Sequence, residues 1–397
     1  MKDSLILTLK AGASSLEFAL HEAREPVSPA SFEGVIRPMG ADANFELLRC
    51  PDDHRGRWRV EASTPEQAIR ELLRWLEQHP ARLSIVATGH HLLHGGDLFS
   101  RPVRINRATL RQLASLVSLA PLYMPHSLEA IQAVSAHHPE LPQVACFDTA
   151  FHHDLPPVER HFAIPHEWQD LGVRRYGFHG ILYESIAEQL PDHMGRLAEG
   201  RVIVANLGNS ASVCALHGRR SLATTMSFSP LDGLPMATRP GSLDPEVVLY
   251  LLRQGLDAER IERDLHFSSG LLGLSGTSGD MRTLLASHHP AARLAVDCFL
   301  HHTHRAIGSL VAALGGLDAL VFTGGIGVNA PRIRQRLCDL GSWIGLKLDN
   351  EANVTGRGRI SPKHASPSVW VIPADETRMV AAHTLRIAGL RSTVSFP

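Results

Sequence analysis

One short pattern occurs twice in this chain, and it constrains the fold more than any other feature. Leu5-Ile-Leu-Thr-Leu-Lys-Ala-Gly12 leads through Ala13-Ser-Ser15 into a second run ending Ala19-Leu-His21. Val202-Ile-Val-Ala-Asn-Leu-Gly208 leads through Asn209-Ser-Ala-Ser212 into a run ending Ala215-Leu-His217. Gly12 and Gly208 stand 196 residues apart, and the two Ala-Leu-His triplets share that offset. Two apolar runs joined by a short turn of Gly and Ser predict a β-hairpin. Recurrence near the midpoint of 397 residues predicts two related domains, where length alone allows two or three. With so few identities, coincidence is the competing explanation.

Further units follow the same logic. The run 84–89 ends in Gly89 and passes into His90-His-Leu-Leu-His-Gly-Gly96. An amphipathic stretch over 291–314 precedes Leu320-Val-Phe-Thr-Gly-Gly-Ile-Gly327. Helical spacing of apolar residues also fits 65–78, 107–119, 127–136, 182–189 and 245–254, and the C-terminal segment offers a strand at 369–373 and a helix at 376–388. Helices alternating with short apolar strands predict an α/β architecture. The stretch 307–328 carries only Asp318 as a charge, but its Gly315-Gly316 break reads as helix, turn, strand and loop rather than a membrane span.

Charge and cysteine usage narrow the setting. With 39 basic and 40 acidic side chains the net charge is −1, which gives no overall attraction to nucleic acid or anionic membrane. Cys50, Cys146, Cys214, Cys298 and Cys338 show no CxxC pair or regular spacing, so reduced thiols are expected rather than disulfides or a zinc site. After Met1-Lys-Asp-Ser4, the apolar run 5–9 is too short for a secretory core and meets Lys10 without a cleavage site. The expectation is a cytoplasmic protein.

Several loops carry chemistry-bearing residues. Turns of Gly, Ser and Asn present backbone N–H groups suited to phosphate oxygens, and the two hairpins plus Thr323-Gly-Gly-Ile-Gly-Val-Asn329 make three of them. Each could equally serve turn geometry alone. Asp148, just after a short apolar run, is either a carboxylate at a strand end or a helix N-cap. Gly172-Val-Arg-Arg-Tyr-Gly-Phe-His-Gly180 is an anion site or a surface turn. Arg239, beside Pro240 and Gly241, sits in a stiff loop of the kind that charge stabilisation needs. The 24 histidines include pairs at 90–91, 137–138, 152–153, 288–289 and 301–302, and His301 and His304 share a helix face. No His-Glu-x-x-His pattern occurs, so solvated or helix-end histidines are expected rather than metal ligands.

Taken together these segments resemble the acetokinase family of the actin-like sugar-kinase superfamily, nearly end to end. The likeness lies in the first hairpin, Gly89–Gly96, Ala120-Pro-Leu-Tyr-Met-Pro125 and Phe147-Asp-Thr-Ala-Phe-His152. It continues in Arg174-Arg-Tyr-Gly-Phe-His-Gly180, Leu207-Gly-Asn209, Phe228-Ser-Pro-Leu-Asp-Gly-Leu234 and Met236-Ala-Thr-Arg239. Ser269-Gly-Leu-Leu-Gly-Leu-Ser-Gly276, Asp280-Met-Arg282 and Phe322-Thr-Gly-Gly-Ile-Gly327 complete it. The resemblance implies two duplicated actin-like (ribonuclease H-like) α/β domains with the active site in a cleft between them. Their expected extents are 1–148 plus 377–397 for the first and 149–376 for the second, which holds the nucleotide.

The implied reaction moves the γ-phosphoryl group of ATP to acetate, giving acetyl phosphate and ADP with Mg²⁺, in a homodimer that needs neither nucleic acid nor membrane. The resemblance gives Asp148 the positioning of substrate and metal, and His179 and Arg239 the stabilisation of the transferring phosphoryl oxygens. His91 stands where the acetate carboxylate is oriented, and Leu93, Leu122, Phe178 and Pro230 match the pocket for its methyl group. Nucleotide contacts fall on Glu17, on Asn206, Leu207, Gly208, Asn209 and Ser210, on Asp280, Met281 and Arg282, and on the turn Gly325, Ile326, Gly327, Val328 and Asn329. The magnesium position falls on Glu376 and Lys10, although a protonated lysine has no lone pair for a metal.

This chain departs from the family pattern at the chemistry. Lys10 replaces Asn, Ala13 replaces Ser, Glu17 replaces Lys, His91 replaces Arg, Tyr123 replaces His and Val328 replaces Glu. Ile181-Leu-Tyr183 replaces Thr-Ser-His, and Asn206-Leu-Gly-Asn-Ser210 replaces His-Leu-Gly-Asn-Gly. Arg to His91 exchanges a permanent bidentate cation for a titratable group, and Lys to Glu17 reverses a charge. Two further readings remain beside a phosphotransferase: a non-catalytic paralogue that binds nucleotide or acyl phosphate with a regulatory role, and a nucleotide-binding filament subunit.

Overall fold

Each hairpin opens a sheet. A computed structural model of the protein describes residues 4–50, 55–78 and 84–390. Residues 1–3 and 391–397, which the N-terminal reading and the expected domain limits include, lie outside the described residues.

The first sheet comprises β1 (Ser4–Ala11), β2 (Leu16–Glu22), β3 (Phe32–Arg37), β4 (Asn44–Arg49), β5 (Gly56–Arg59), β6 (Ser84–Leu92), β7 (Val103–Arg104) and β8 (Gln143–Phe147). Its order is β5-β4-β3-β2-β1-β6-β8-β7. The second comprises β9 (Arg201–Asn206), β10 (Ser212–His217), β11 (Arg220–Thr224), β12 (Ala319–Thr323), β13 (Gly358–Arg359) and β14 (Ser368–Val371), in the order β11-β10-β9-β12-β14-β13. Both contain the same run of five. In the first, β3, β2 and β1 pair antiparallel, then β1, β6 and β8 pair parallel. In the second, β11, β10 and β9 pair antiparallel, then β9, β12 and β14 pair parallel. This shared topology is the duplicated α/β arrangement expected from the repeat. β1, β9 and β12 are apolar almost throughout and buried, as central strands covered on both faces must be.

The hairpins are not superimposable residue for residue. In the first, Ala11 pairs with Leu16 across residues 12–15. In the second, Asn206 pairs with Ser212 across residues 207–211, one residue more of turn.

The chain divides into two compact units. One holds the described residues of Met1–His153, Gly180–Glu184 and Asp375–Pro397, and the other holds Asp154–His179 and Ser185–Ala374. Relative to the limits expected from sequence, 149–153, 180–184, Asp375 and Glu376 go to the first unit. The reason is local: the Gly180 N–H donates to the Asp148 carbonyl at 2.9 Å, and Ile181 packs with Val144, Cys146, Met379 and Val380. The rest of the helix Gly180–Met194 counts with the second unit.

The glycine-rich segment 323–329, expected as an open turn, is instead the end of β12 and a short helix, Gly324–Asn329. Gly324 has a φ of +76°, and a Cβ there would stand 2.6 Å from the Leu207 carbonyl oxygen, so only glycine fits. No described helix is long and apolar enough to cross a membrane.

Some of the histidines depart from expectation, while both members of the pairs at 137–138, 288–289 and 301–302 are half-buried or exposed. His21, His90, His91, His94, His152, His266 and His383 are buried rather than solvated. A neutral imidazole with a partner is cheap to bury: His90 Nε2 lies 2.7 Å from Gln143 Oε1. Burial lowers the pKa of His90 to about 4, against a raising effect of the Gln143 bond. It lowers that of His94 to about 4 as well, against the charge of Asp97. These groups bind protons in the unfolded chain at a higher pH than in the folded one, so stability rises with pH between the two values. The melting temperature should therefore be level above about pH 7 and fall as pH drops from about 6.5 toward 4. Replacing His90 with Gln should flatten part of that fall; an unchanged profile would contradict the assignment.

Candidate active site

In the first unit, the end of the β1–β2 hairpin and the start of the helix Glu376–Ile387 line a cavity of about 190 Å³. Lys10, Glu17, His91 and Glu376 all face it. Lys10 and Glu17 are direct partners across the hairpin. Lys10 Nζ donates to Glu376 Oε2 at 3.2 Å. Partial loss of water in the cavity works against the ammonium, but Glu376 first, then Asp148 and Glu17, more than offset it and hold its pKa above the ordinary lysine value.

His91 lies at the end of β6, where its Nε2 stands 3.0 Å from Asp148 Oδ1, and both side chains are buried. Asp148 directly follows β8 and is not a helix N-cap, since Thr149 holds that position before the 3-10 turn Ala150–His152. Its backbone is held on both sides, by its own N–H to the Leu92 carbonyl at 3.0 Å and by the bond from Gly180. A Cβ at 180 would collide with the Asp148 carbonyl oxygen, so glycine at 180 is what lets the helix start so close to this carboxylate. Leu93 packs partly buried against the cluster of Leu92, Phe99 and Phe147, and Leu122 is half-buried.

The second unit holds His179 in an unusual state. Its φ of +60° is left-handed, a backbone conformation that costs a non-glycine residue on the order of 1 kcal/mol. Three side chains grip its ring. The Asn206 amide donates to Nδ1 at 3.1 Å, and the Ser212 hydroxyl lies 2.8 Å from the same nitrogen. Ser210 Oγ lies 3.1 Å from Nε2 and donates its own hydrogen toward Met236 Sδ at 3.7 Å. This pattern makes Nδ1 the acceptor and puts the proton on Nε2. Phe178 and Pro230 are buried in this unit.

Arg239 donates from Nη1 to the Pro230 carbonyl at 2.9 Å. Its loop is anchored by Met236 N–H to the Arg239 carbonyl and by Ala237 N–H to the Asn209 carbonyl. Burial, then the nearby Arg239 guanidinium, push the His266 pKa down to about 4, so that imidazole is neutral and leaves Arg239 the local positive charge.

A second cavity of about 460 Å³ lies in the same unit. Segments far apart in sequence meet there: Gly208 and Asn209, then Asp280, Met281 and Arg282, then Gly325, Ile326 and Asn329. Asp280 caps the helix Met281–Ala286 by accepting from Thr283 N–H, which holds its carboxyl below the usual range. Leu207 and Gly327 are buried beneath the cavity, joined by Ile326 and Gly327 N–H groups donating to the Leu207 carbonyl at 2.8 and 3.0 Å. Val328 points no side-chain acceptor here; its carbonyl accepts from Arg334. Of the expected nucleotide residues, Glu17 lies with Lys10 in the first unit, and Asn206 and Ser210 lie against His179.

Sequence reading missed two supports. Ser212 was one of several serines in a turn, with nothing to single it out. Arg334, fully buried, donates to the carbonyls of Gly327 and Val328 at 2.8 and 2.7 Å and to Asn353, and so braces the floor of this second cavity. Its only signal was a charge on the apolar face of the helix Pro331–Leu340.

The donor set does not fit a magnesium ion held by the protein. Glu376 already carries an ammonium, Lys10 offers hydrogens rather than lone pairs, and among the described residues no three His, Cys, Asp or Glu side chains gather as a metal site.

The family model of the acetokinase family matches residues 5–382. An acetate kinase of Rhodopseudomonas palustris is 48% identical over 391 residues, 97% of this chain and 98% of that protein. The crystal structure of a propionate kinase from Francisella tularensis superposes with a TM-score of 0.90 at 34% identity, covering 97% of this chain and 100% of that one. The acetate kinase of Porphyromonas gingivalis superposes at 0.88 and 31%, with the same coverage. The fold and these likenesses define a phosphotransferase of the carboxylate-kinase class. The chain belongs to the acetokinase family.

Two departures from the family pattern, Asn206 for His and Ser210 for Gly, both touch His179. Together with Ser212 they set its protonated nitrogen. Nitrogen NMR of ¹⁵N-histidine-labelled protein should show His179 unprotonated at Nδ1 and protonated at Nε2 at neutral pH. Asn206→Ala should admit the other tautomer; a protonated Nδ1 in the unaltered protein would contradict the assigned network.

Proposed function

We propose that this protein is an acetate kinase-type phosphotransferase, which passes the γ-phosphoryl group of ATP reversibly to acetate or a similarly short carboxylate. The acceptor is already an anion at neutral pH, so no base is needed to activate it. One carboxylate oxygen forms a bond to the γ-phosphorus as the bond to the β,γ-bridging oxygen breaks, and ADP leaves with that electron pair. The work left to the protein is positioning and charge.

What supports this reading most is the meeting of Gly208, Asn209, Asp280–Arg282 and Gly325–Asn329 at one cavity of the second unit. There the Arg282 guanidinium, exposed and 3.5 Å from Asp280 Oδ2, would present its face to a planar base, and backbone N–H groups of the Gly208 turn suit phosphate oxygens. Arg239 would turn its guanidinium toward the equatorial oxygens of the transferring group, and His179 would exchange the Ser210 hydroxyl at its Nε2–H for one of them. In the first unit, His91, its Nε2 3.0 Å from Asp148 Oδ1, would orient the acceptor carboxylate, with Leu93 and Leu122 beside its alkyl end. Phe178 and Pro230, buried in the second unit, are the other residues that the resemblance assigns to that alkyl group. Magnesium, which the family reaction uses, would arrive on the nucleotide phosphates as part of that substrate. Neither the family nor the named relatives favour a non-catalytic paralogue.

A cytoplasmic homodimer belongs to the same proposal. The helix Pro245–Arg253 has no buried residue, and its Leu249 and Tyr250, with Phe267 of the helix Ala258–Phe267, offer a second copy an apolar surface. Light scattering should give twice the chain's 43.4 kDa; a monomer would contradict the dimer.

Purified protein with ATP, Mg²⁺ and acetate should form acetyl phosphate, and acetyl phosphate with ADP should return ATP. No turnover in either direction with acetate, propionate or butyrate would overturn the proposal. Arg239→Ala should lower kcat by roughly a hundred- to a thousand-fold with a smaller effect on KM for ATP. An unchanged kcat would remove Arg239 from its assigned role.

A further inference from the structure

Register places two altered charges opposite each other. Lys10 and Glu17 are direct cross-strand partners, and they are the positions where the family pattern carries Asn and Lys. The hairpin has therefore kept one cation and moved it to the facing strand. From β2 its ammonium would stand elsewhere; from β1 it reaches Glu376, which lies 366 residues further along the chain.

That contact is a poor stabiliser of the fold. The Lys10 side chain is 46% exposed and that of Glu376 24%, and ion pairs so open to water contribute little to stability. Its consequence is electrostatic. Glu376, Asp148 and Glu17 all act on the one ammonium. A divalent ion binds through carboxylate oxygens and water, and a fixed ammonium on the same carboxylate both occupies an oxygen and repels the ion.

Resting on the kinase reading, we propose that Lys10 takes the place of a protein-held divalent cation at Glu376. The chain alone binds no divalent ion there, and magnesium reaches the site only on the nucleotide's phosphates. Lys10 is thus a positioning residue: it keeps the Glu376 carboxylate neutralised and oriented before any nucleotide arrives. Charge count across the hairpin and the start of the C-terminal helix is maintained by a side chain rather than by an ion.

Manganese is a suitable probe, because its free hexaaqua ion gives an electron paramagnetic resonance signal that binding removes. Without nucleotide, the unaltered protein should leave that signal undiminished, and ATP should diminish it. Lys10→Asn and Lys10→Gln, checked for folding by circular dichroism, should each bind manganese without nucleotide about tenfold or more tightly than the unaltered protein. Adding Glu376→Gln to Lys10→Asn should abolish the gain. Nucleotide-free, Glu376-dependent binding by the unaltered protein would overturn the inference, and so would folded Lys10 variants that gain no affinity. A separate activity assay distinguishes the two claims. Absent turnover with this manganese pattern intact counts against the kinase reading alone, and turnover with manganese held at Glu376 counts against Lys10 alone.

Discussion

The first strand of each sheet must bond antiparallel on one edge and parallel on the other, and the rest of the structure depends on that constraint. β1 lies between β2 and β6, and β9 between β10 and β12. An antiparallel neighbour can follow through a tight turn, while a parallel one needs a long crossover. Each hairpin turn is therefore placed at the same end as the carboxyl ends of the parallel strands, beside the loops that follow β6, β8 and β12. In the first unit this brings Lys10 and Glu17 to the cavity that also holds His91 and Glu376. In the second it brings Asn206, Ser210 and Ser212 to His179, and Gly208 to the helix after β12. The duplicated topology thus supplies two turns that have diverged, one toward charge and one toward hydrogen bonding.

Charge decides what the first turn can do. Exchange of a permanent cation for His91, and of Lys for Glu17, leaves Lys10 as the ammonium on which Glu376, Asp148 and Glu17 act. In the second unit the adjustment is of a different kind. His179 pays for its left-handed backbone with three ring contacts, two of them from residues that differ from the family pattern. Under the proposed function, a strained residue so fully held would be positioned before substrate binds, which is the contribution electrostatic catalysis asks of a protein.

Much of this was legible in the sequence, for identifiable reasons. Hairpins and central strands announce themselves by apolar runs around Gly and Ser, and the helices Pro65–Glu77, Pro245–Arg253 and Pro290–Leu314 by their spacing and their N-terminal prolines. The residues of the larger cavity in the second unit were legible as motifs, although their meeting was not. What pattern could not show is contact between distant positions. Nothing local in Lys10 points to Glu376, and nothing in Ser212 or Arg334 marks the ring or the carbonyls they hold. Gly324–Asn329 looked like a turn because glycine is poor in helices, and the demand for a left-handed residue after β12 overrode that propensity. The buried histidines were missed for a similar reason: spacing does not show that Gln143 waits beside His90.

The central claim is a single in-line displacement in which carboxylate oxygen attacks phosphorus directly and no protein group is phosphorylated. Its most direct test is the stereochemical course of transfer from ATP made chiral at the γ-phosphorus with oxygen isotopes. The account predicts inversion of configuration in the acyl phosphate formed. Retention, which requires a second displacement through a phosphorylated side chain, would contradict it.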